Sequence, residues 1–255
     1  MPNLSRLDKN ALSNIIRGFA NKIFQSEAQF QFDLAWELQQ QSWGNAKLED
    51  MRMMVNKSNG MIGKCYTDIV LEQEDYSVAI ELKYKTAEYH PKGGSYPILF
   101  GHDAVDEGRY DYLWDVHRIE LLAGKGNKTE MNGVVKVLKG CNKGFAVLLT
   151  NEKQYWDKKY IIPGKASQSI DNQFRIGCIK GKCGNLFGKD LDWKRDAVKY
   201  PNNYNNYPAT VLTKTNKPKF RAQPIHLDQA YKYKWEDYHN TGQPNGDFKF
   251  VIIEV

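Results

Sequence analysis

Apolar residues at Ile23, Phe24, Phe30, Leu34, Ala35 and Leu38 recur on one face of a 3.6-residue helix, and Ser26 followed by Glu27 supplies a start signal inside that stretch. The period then shortens. Residues 51–57 (MRMMVNK), 64–71 (KCYTDIVL) and 77–84 (SVAIELKY) read as three strands, the last rich in residue types that suit a half-buried pleated surface. A loop with Pro, Gly and Ser (88–97, EYHPKGGSYP) leads to a second helix over 104–124. There Tyr110, Leu113, Trp114, Ile119 and Leu121 alternate with acidic residues, and Gly124 is the stop. The continuous apolar run GFAVLLTN (144–151) predicts an interior strand. Helix, three strands, helix and strand together describe an α/β core, a meander followed by a crossover. Beyond 151 lie a Tyr/Asn loop (200–208, YPNNYNNYP), a basic loop (213–221, TKTNKPKFR) and two closing strands, YKYKW (231–235) and FKFVIIEV (248–255). With no internal repeat, the expected organisation is one domain over 1–255, with a core at about 20–150 and an elaboration at 151–255.

A chain of 255 residues, 41% hydrophobic and 26% charged, is long enough to bury a sizeable core and is unlike a disordered composition. It holds no apolar run near the ~20 residues that span a bilayer. Its first twenty residues lack the apolar block of a secretory leader. Four cysteines do not make a disulfide scaffold, so the expectation is a cytoplasmic protein with no membrane partner. Charge is unevenly placed. Residues 1–120 carry 13 Lys/Arg against 18 Asp/Glu, and residues 121–255 carry 23 against 12. Either the second half has a solvated lysine surface, or it attracts a polyanion while the acidic half holds cations.

The hairpin CYTDIVLEQEDYSVAIELKYKT (65–86) carries charges inside apolar strands: Asp68 in the first, Glu81 and Lys83 in the second. In a strand, i and i+2 share a face, so Glu81 and Lys83 project together while Val78, Ile80 and Leu82 face the core. A two-residue turn at Gln73-Glu74 would set Asp68 opposite Ala79, on that same face and diagonal to Glu81. Two carboxylates and an ammonium on one patch suit a hard divalent cation that takes carboxylate, water and phosphate oxygens. Such an ion lowers the pKa of a water and neutralises charge on a phosphate, and the lysine stabilises the same charge. The competing reading is a solvent-facing hairpin with salt-bridging charges.

Element order and the segments YTDIVL and IELKYK together resemble the PD-(D/E)xK nuclease superfamily, the restriction-endonuclease-like fold, over roughly residues 20–150. The resemblance implies a restriction-endonuclease-like core with a central mixed β-sheet flanked by helices. Asp68 would be the motif aspartate, Glu81 the second acid and Lys83 the lysine. Thr67 stands where the motif's name has proline. Many members carry a further acid on the first helix, and Glu27 matches that place, though it also suits a helix N-terminus on its own account. The implied activity is Mg²⁺-dependent hydrolysis of DNA phosphodiesters, with Mn²⁺ as the alternative ion, leaving 5′-phosphate and 3′-hydroxyl ends. A type II restriction enzyme acting as a homodimer fits that pattern. A non-catalytic nucleic-acid-binding protein and an RNA- or structure-specific nuclease are the alternatives.

Arg52, Arg118, Lys214, Lys217, Lys219 and Arg221 are the further candidates for DNA phosphate contacts, and Asn and Tyr within 202–207 for base contacts. Arg109, His117 and Arg118 suit phosphate contacts less well than ion pairs with Asp111, Asp115 and Glu120, with Arg118 and Glu120 the members of most interest. Asp33 and Glu37 read as the polar face of the first helix. His90 and His102 flank the loop after the third strand and read as surface residues rather than site residues. Cys178 and Cys183 lack the partners of a zinc site, and GNLFGKD (184–190) lacks the spacing of a phosphate loop.

Overall fold

The computed structural model describes all residues except 1, 21, 56–61, 95, 103, 124–127, 132–133, 138–139, 158–173, 178–184, 187–189 and 192–223. Among the described residues, the longer helices α1 (Lys9–Gly18), α2 (Glu27–Gln40) and α3 (Val105–Ala123) accompany strands β1 (Asn45–Val55), β2 (Ile62–Gln73), β3 (Tyr76–Lys85), β4 (Lys143–Thr150), β5 (Trp235–Asn240) and β6 (Asp247–Glu254). These strands form one six-stranded mixed sheet in the order β1-β2-β3-β4-β6-β5. β1, β2 and β3 are an antiparallel meander, β3 and β4 run parallel, and β6 is antiparallel to both of its neighbours. A parallel neighbour requires a crossover, and α3 lies in the connection between β3 and β4. Short two-stranded ladders pair 128–131 with 134–137, 185–186 with 231–232, and 190–191 with 225–226. Among the described residues, no helix is long and apolar enough to cross a membrane.

Strand alternation divides the core. Ile69, Leu71, Val78, Ile80, Leu82 and Tyr84 pack with residues of α1 and α2, including Leu12, Ile16, Phe30, Leu34 and Leu38. On the opposite face Val70 and Ala79 meet Ile119 and Leu122 of α3, while Ala146 and Leu148 meet Tyr112, Leu113 and Val116. α3 closes tightly on β4 at Gly144, where a Cβ would lie 2.2 Å from Ile119 Cγ2. Ser26 caps α2 as the sequence indicates, its hydroxyl accepting from Gln29 N at 3.1 Å.

The structure alters four expectations. The hairpin turn is Glu74-Asp75, with Glu74 at φ 51°, and Gln73 pairs with Tyr76. That moves the register by two, which preserves the face of every side chain but brings Asp68 level with Glu81 rather than Ala79. α1 is an added helix, capped by Asp8 through Ala11 N at 2.8 Å. Residues 231–232 form only a short ladder, and the following strand is Trp235–Asn240. Finally, β5 and β6 belong to the same sheet as β1–β4, so residues 235–254 are part of the core and not an addition to it.

Candidate active site

The β2–β3 ladder runs from Gln73↔Tyr76 to Ile69↔Ile80 and stops, while β2 stays paired to β1 as far as Val55↔Ile62. A fork results beside β3. Backbone amides of alternate residues point to the same edge of a strand, and past the fork those of Leu82 and Tyr84 are met by side chains. Asp68 Oδ2 accepts from Leu82 N at 2.6 Å, and Glu27 Oε2, from the first turn of α2, accepts from Tyr84 N at 2.7 Å. Tyr84 Oη donates to Phe24 O at 2.7 Å, which ties the segment before α2 to the same strand. Gln31, one helical turn on, donates to Asp68 O at 2.7 Å and to Glu49 Oε1 at 2.9 Å. Each carboxylate thus uses one oxygen as a backbone cap. Asp68 Oδ1 and Glu27 Oε1 are the second oxygens, of the hard donor type that a divalent cation takes.

Glu81 and Lys83 project to the α3 face and enter a buried ionic group. Arg118 Nη2 lies 2.9 Å from Glu81 Oε1 and its Nη1 3.2 Å from Asp115 Oδ1, while Lys83 Nζ is 3.0 Å from Asp115 Oδ2. Arg118 also donates to Tyr66 O and to Cys65 Sγ, and Lys83 Nζ donates to Leu82 O at 3.2 Å. Glu81 is 1% exposed and Asp115 3%. Burial, then the charge of Asp115, pushes the Glu81 carboxyl well up, and Arg118 offsets this in part. Asp115 is also raised, by burial, against the pull of Lys83 and Arg118. Burial opposes the charge of Lys83, yet Asp115, Glu27 and Asp68 together outweigh it and hold the ammonium above its ordinary range. Burial raises Asp68 as well; the Leu82 N–H and Lys83 oppose it, and Glu27 and Glu49 add to it. The four residues expected from the motif therefore share one neighbourhood, divided between the fork and the α3 face.

The other candidates fare differently. Arg52 is 1% exposed and paired with Asp50 at 2.6 Å and Glu72 at 2.7 Å, so it has no surface to offer a phosphate. Arg118 is an ion-pair partner as the sequence favoured, but its partners include Glu81 of β3, a pairing no helical spacing could indicate. Glu120 accepts from the amides of Asp228 and Gln229 and from Tyr231 Oη, anchoring a later segment on α3. Asp33 pairs with Lys22, and the solvent face of α2 instead carries Phe32 and Trp36, each 55% exposed and stacked at 6.4 Å. Lys214, Lys217, Lys219, Arg221, residues 200–208, Cys178 and Cys183 lie outside the described residues. Sequence reasoning missed Gln31, Glu49 and Asp115 as neighbours of the motif, because their approach comes from tertiary packing. It missed His102 as well, whose Nδ1 accepts from Thr86 N at 3.0 Å.

Among the described residues, no three His, Cys, Asp or Glu side chains are grouped so as to hold a metal ion. The fork offers two carboxylate oxygens, and Glu81 is turned to Arg118. Two carboxylates with water and phosphate oxygens are a donor set that fits Mg²⁺. No protein-family model, curated protein or solved structure matches the chain.

Proposed function

We propose that the chain is a Mg²⁺-dependent endonuclease with a restriction-endonuclease-like core, acting on DNA phosphodiesters. The observation that carries this reading is the fork: Asp68 and Glu27, from different elements, cap successive alternate amides of β3 on either side of Lys83. Asp68 and Glu27 are the residues that would hold Mg²⁺, through Oδ1 and Oε1; Glu81 would join them on release from Arg118. When bound, the ion supplies Lewis-acid neutralisation of charge on the phosphoryl oxygens. Lys83, kept charged by Asp115 and its acidic neighbours, cannot take a proton and so acts as a cation that stabilises the phosphate as charge builds and orients the incoming water. Hydrolysis then forms a bond from the water oxygen to phosphorus and breaks the bond to the 3′ oxygen; the water gives up a proton to solvent and the leaving 3′ oxygen takes one from solvent, giving 5′-phosphate and 3′-hydroxyl ends.

The test is incubation of supercoiled plasmid and long mapped DNA with Mg²⁺ or Mn²⁺. Discrete linear fragments that need the metal support restriction-type cleavage. Absence of nicking across varied DNA, RNA and branched substrates would sink the nuclease reading. One observation favours a second reading, a nucleic-acid-binding protein with structural charges: Glu81 and Lys83 are already ion-paired to Arg118 and Asp115. Retention of DNA binding without cleavage under every metal would support it.

A further inference from the structure

The fork has a third member. Past the end of the β2–β3 ladder, the amides of Leu82, Tyr84 and Thr86 are each met by a side-chain acceptor: Asp68 Oδ2 at 2.6 Å, Glu27 Oε2 at 2.7 Å and His102 Nδ1 at 3.0 Å. Alternate residues along a strand are roughly 6.5–7 Å apart, so Asp68, Glu27 and His102 form a row along one edge of β3. The two carboxylates are the metal-side groups of the proposed function. The imidazole has no part in it so far.

The bond from Thr86 N points to one tautomer of His102. A backbone N–H can only donate, so Nδ1, which receives Thr86 N, must present a lone pair. The neutral ring therefore carries its proton on Nε2, on the side away from the strand. Thr86 also holds the loop that carries the ring: its Oγ1 donates to Phe100 O at 2.6 Å, and His102 N donates to Thr86 O at 2.7 Å. The same Oγ1 lies 2.9 Å from Nδ1, a contact that favours a proton there, so the tautomer is the first thing the experiment below reads. The residue is exposed. Burial and then Lys85 disfavour a second proton, with Glu27 acting the other way, and the ring is held below its usual range. A protonated nitrogen is a donor and not a metal ligand, so this end of the row suits an anion where the other two members suit a cation.

We propose that His102 is a substrate-contacting residue whose Nε2–H donates to a phosphodiester oxygen held beside Glu27 and Lys83. This rests on the nuclease reading and extends it by one residue at the substrate-binding edge. It also explains an arrangement that a purely structural cap would not need, since Thr86 N could be satisfied by any acceptor, including water.

Long-range ¹H–¹⁵N correlation on protein labelled at histidine reads the tautomer directly, with His90, which pairs with Glu88 at 2.7 Å, as the internal reference. The expected result is an Nε2–H tautomer at His102 whose Nε2 resonance moves on titration with a thymidine dinucleotide while that of His90 does not. In parallel, His102→Ala should weaken binding of a short DNA duplex in Ca²⁺ by roughly ten- to hundredfold, the range for a hydrogen bond to a charged group. His102→Gln, whose amide offers one acceptor and one donor, should recover part of the loss, and thermal melts show whether either variant is simply unfolded. A proton on Nδ1, or an Nε2 resonance unmoved by the dinucleotide, overturns the inference even if the enzyme cuts DNA. Absence of cleavage by the wild-type protein, with the expected tautomer and titration, overturns the nuclease reading and leaves the phosphodiester contact standing.

Discussion

Two pairs of carboxylates flank β3 and are used in opposite ways. At the fork, Asp68 and Glu27 each give one oxygen to a backbone amide and keep the other. Against α3, Glu81 and Asp115 are enclosed with Arg118 and Lys83, and both are buried. The first pair is arranged as a surface that can receive something, the second as an internal scaffold whose charges balance. The motif reading treats Asp68, Glu81 and Lys83 as equals, whereas the structure separates the fork from the buried group; on the proposed function these become a receiving side and a supporting side. Lys83 links them: Asp115 holds it from below, and it lowers the cost of charge on Asp68.

The largest expected effect comes from the receiving side. Asp68→Asn preserves an acceptor for Leu82 N but removes the charge. It should lower Mg²⁺-dependent cleavage by about a thousandfold, corresponding to several kcal/mol of lost charge stabilisation, with little change in the melting temperature. Equal cleavage by this variant would break the comparison.

The supporting side should fail in stability first. Arg118→Met removes the partner of two buried carboxylates and should cost about 3–5 kcal/mol in urea unfolding. Adding Glu81→Gln to it should recover part of that loss if the two act as a pair. Strictly additive losses would show that the ion pair carries no coupling.

The same contrast has a pH signature. Asp68, Glu81 and Asp115 all have raised folded-state values, each chiefly through burial. Above about pH 4, where the unfolded chain sheds these protons, the native state still binds them. Stability is therefore fullest at the acidic end of that window and falls as pH rises through the raised values. Urea midpoints measured across this range should decline with pH for the metal-free chain, and Glu81→Gln should flatten the slope. A midpoint that rises with pH through the window would reverse the assignment.

The smallest effect is a positional one. Gln31→Leu removes the donor that joins α2 to Asp68 O and Glu49. It should cost about 1 kcal/mol in stability and reduce cleavage a few-fold, whereas full activity would show that the fork keeps its shape without this tie.

Much of this was written locally in the chain. Ser26 caps α2 as the sequence indicated, and the alternation in SVAIELKY assigned Glu81 and Lys83 to the face opposite Ile80 and Leu82. The turn was not legible, because Gln73-Glu74 and Glu74-Asp75 are equally polar dipeptides and composition does not choose between them. The face survived the error only because the shift was even. Arg52 was the one cation near the start of an apolar run, MRMMVNK, and its burial against Asp50, two residues away on β1, and Glu72 of β2 is a tertiary arrangement that the run does not encode. The helix over Lys9–Gly18 carries a Leu12, Ile15 and Ile16 stripe, so its apolar period is legible in the chain even though the stretch lacks the apolar block of a leader. By contrast, WEDYHN gives little sign of a strand because it lies at the sheet's edge, where few side chains need be apolar.

The place of β6, between β4 and the edge strand β5, governs how the molecule can assemble. It joins β4 to β5, its Glu254 accepts from Lys9 N at 2.9 Å, and Val255 exchanges backbone bonds with Gly144. While synthesis proceeds, β4 carries an unpaired, apolar margin until residues 247–254 emerge to cover it. Contacts spanning nearly the whole chain close late and slow folding, and an uncovered margin of that kind invites pairing with other nascent copies. Shielding by a chaperone in that interval should therefore matter more to the yield of this protein than to that of one whose sheet is completed from its first half.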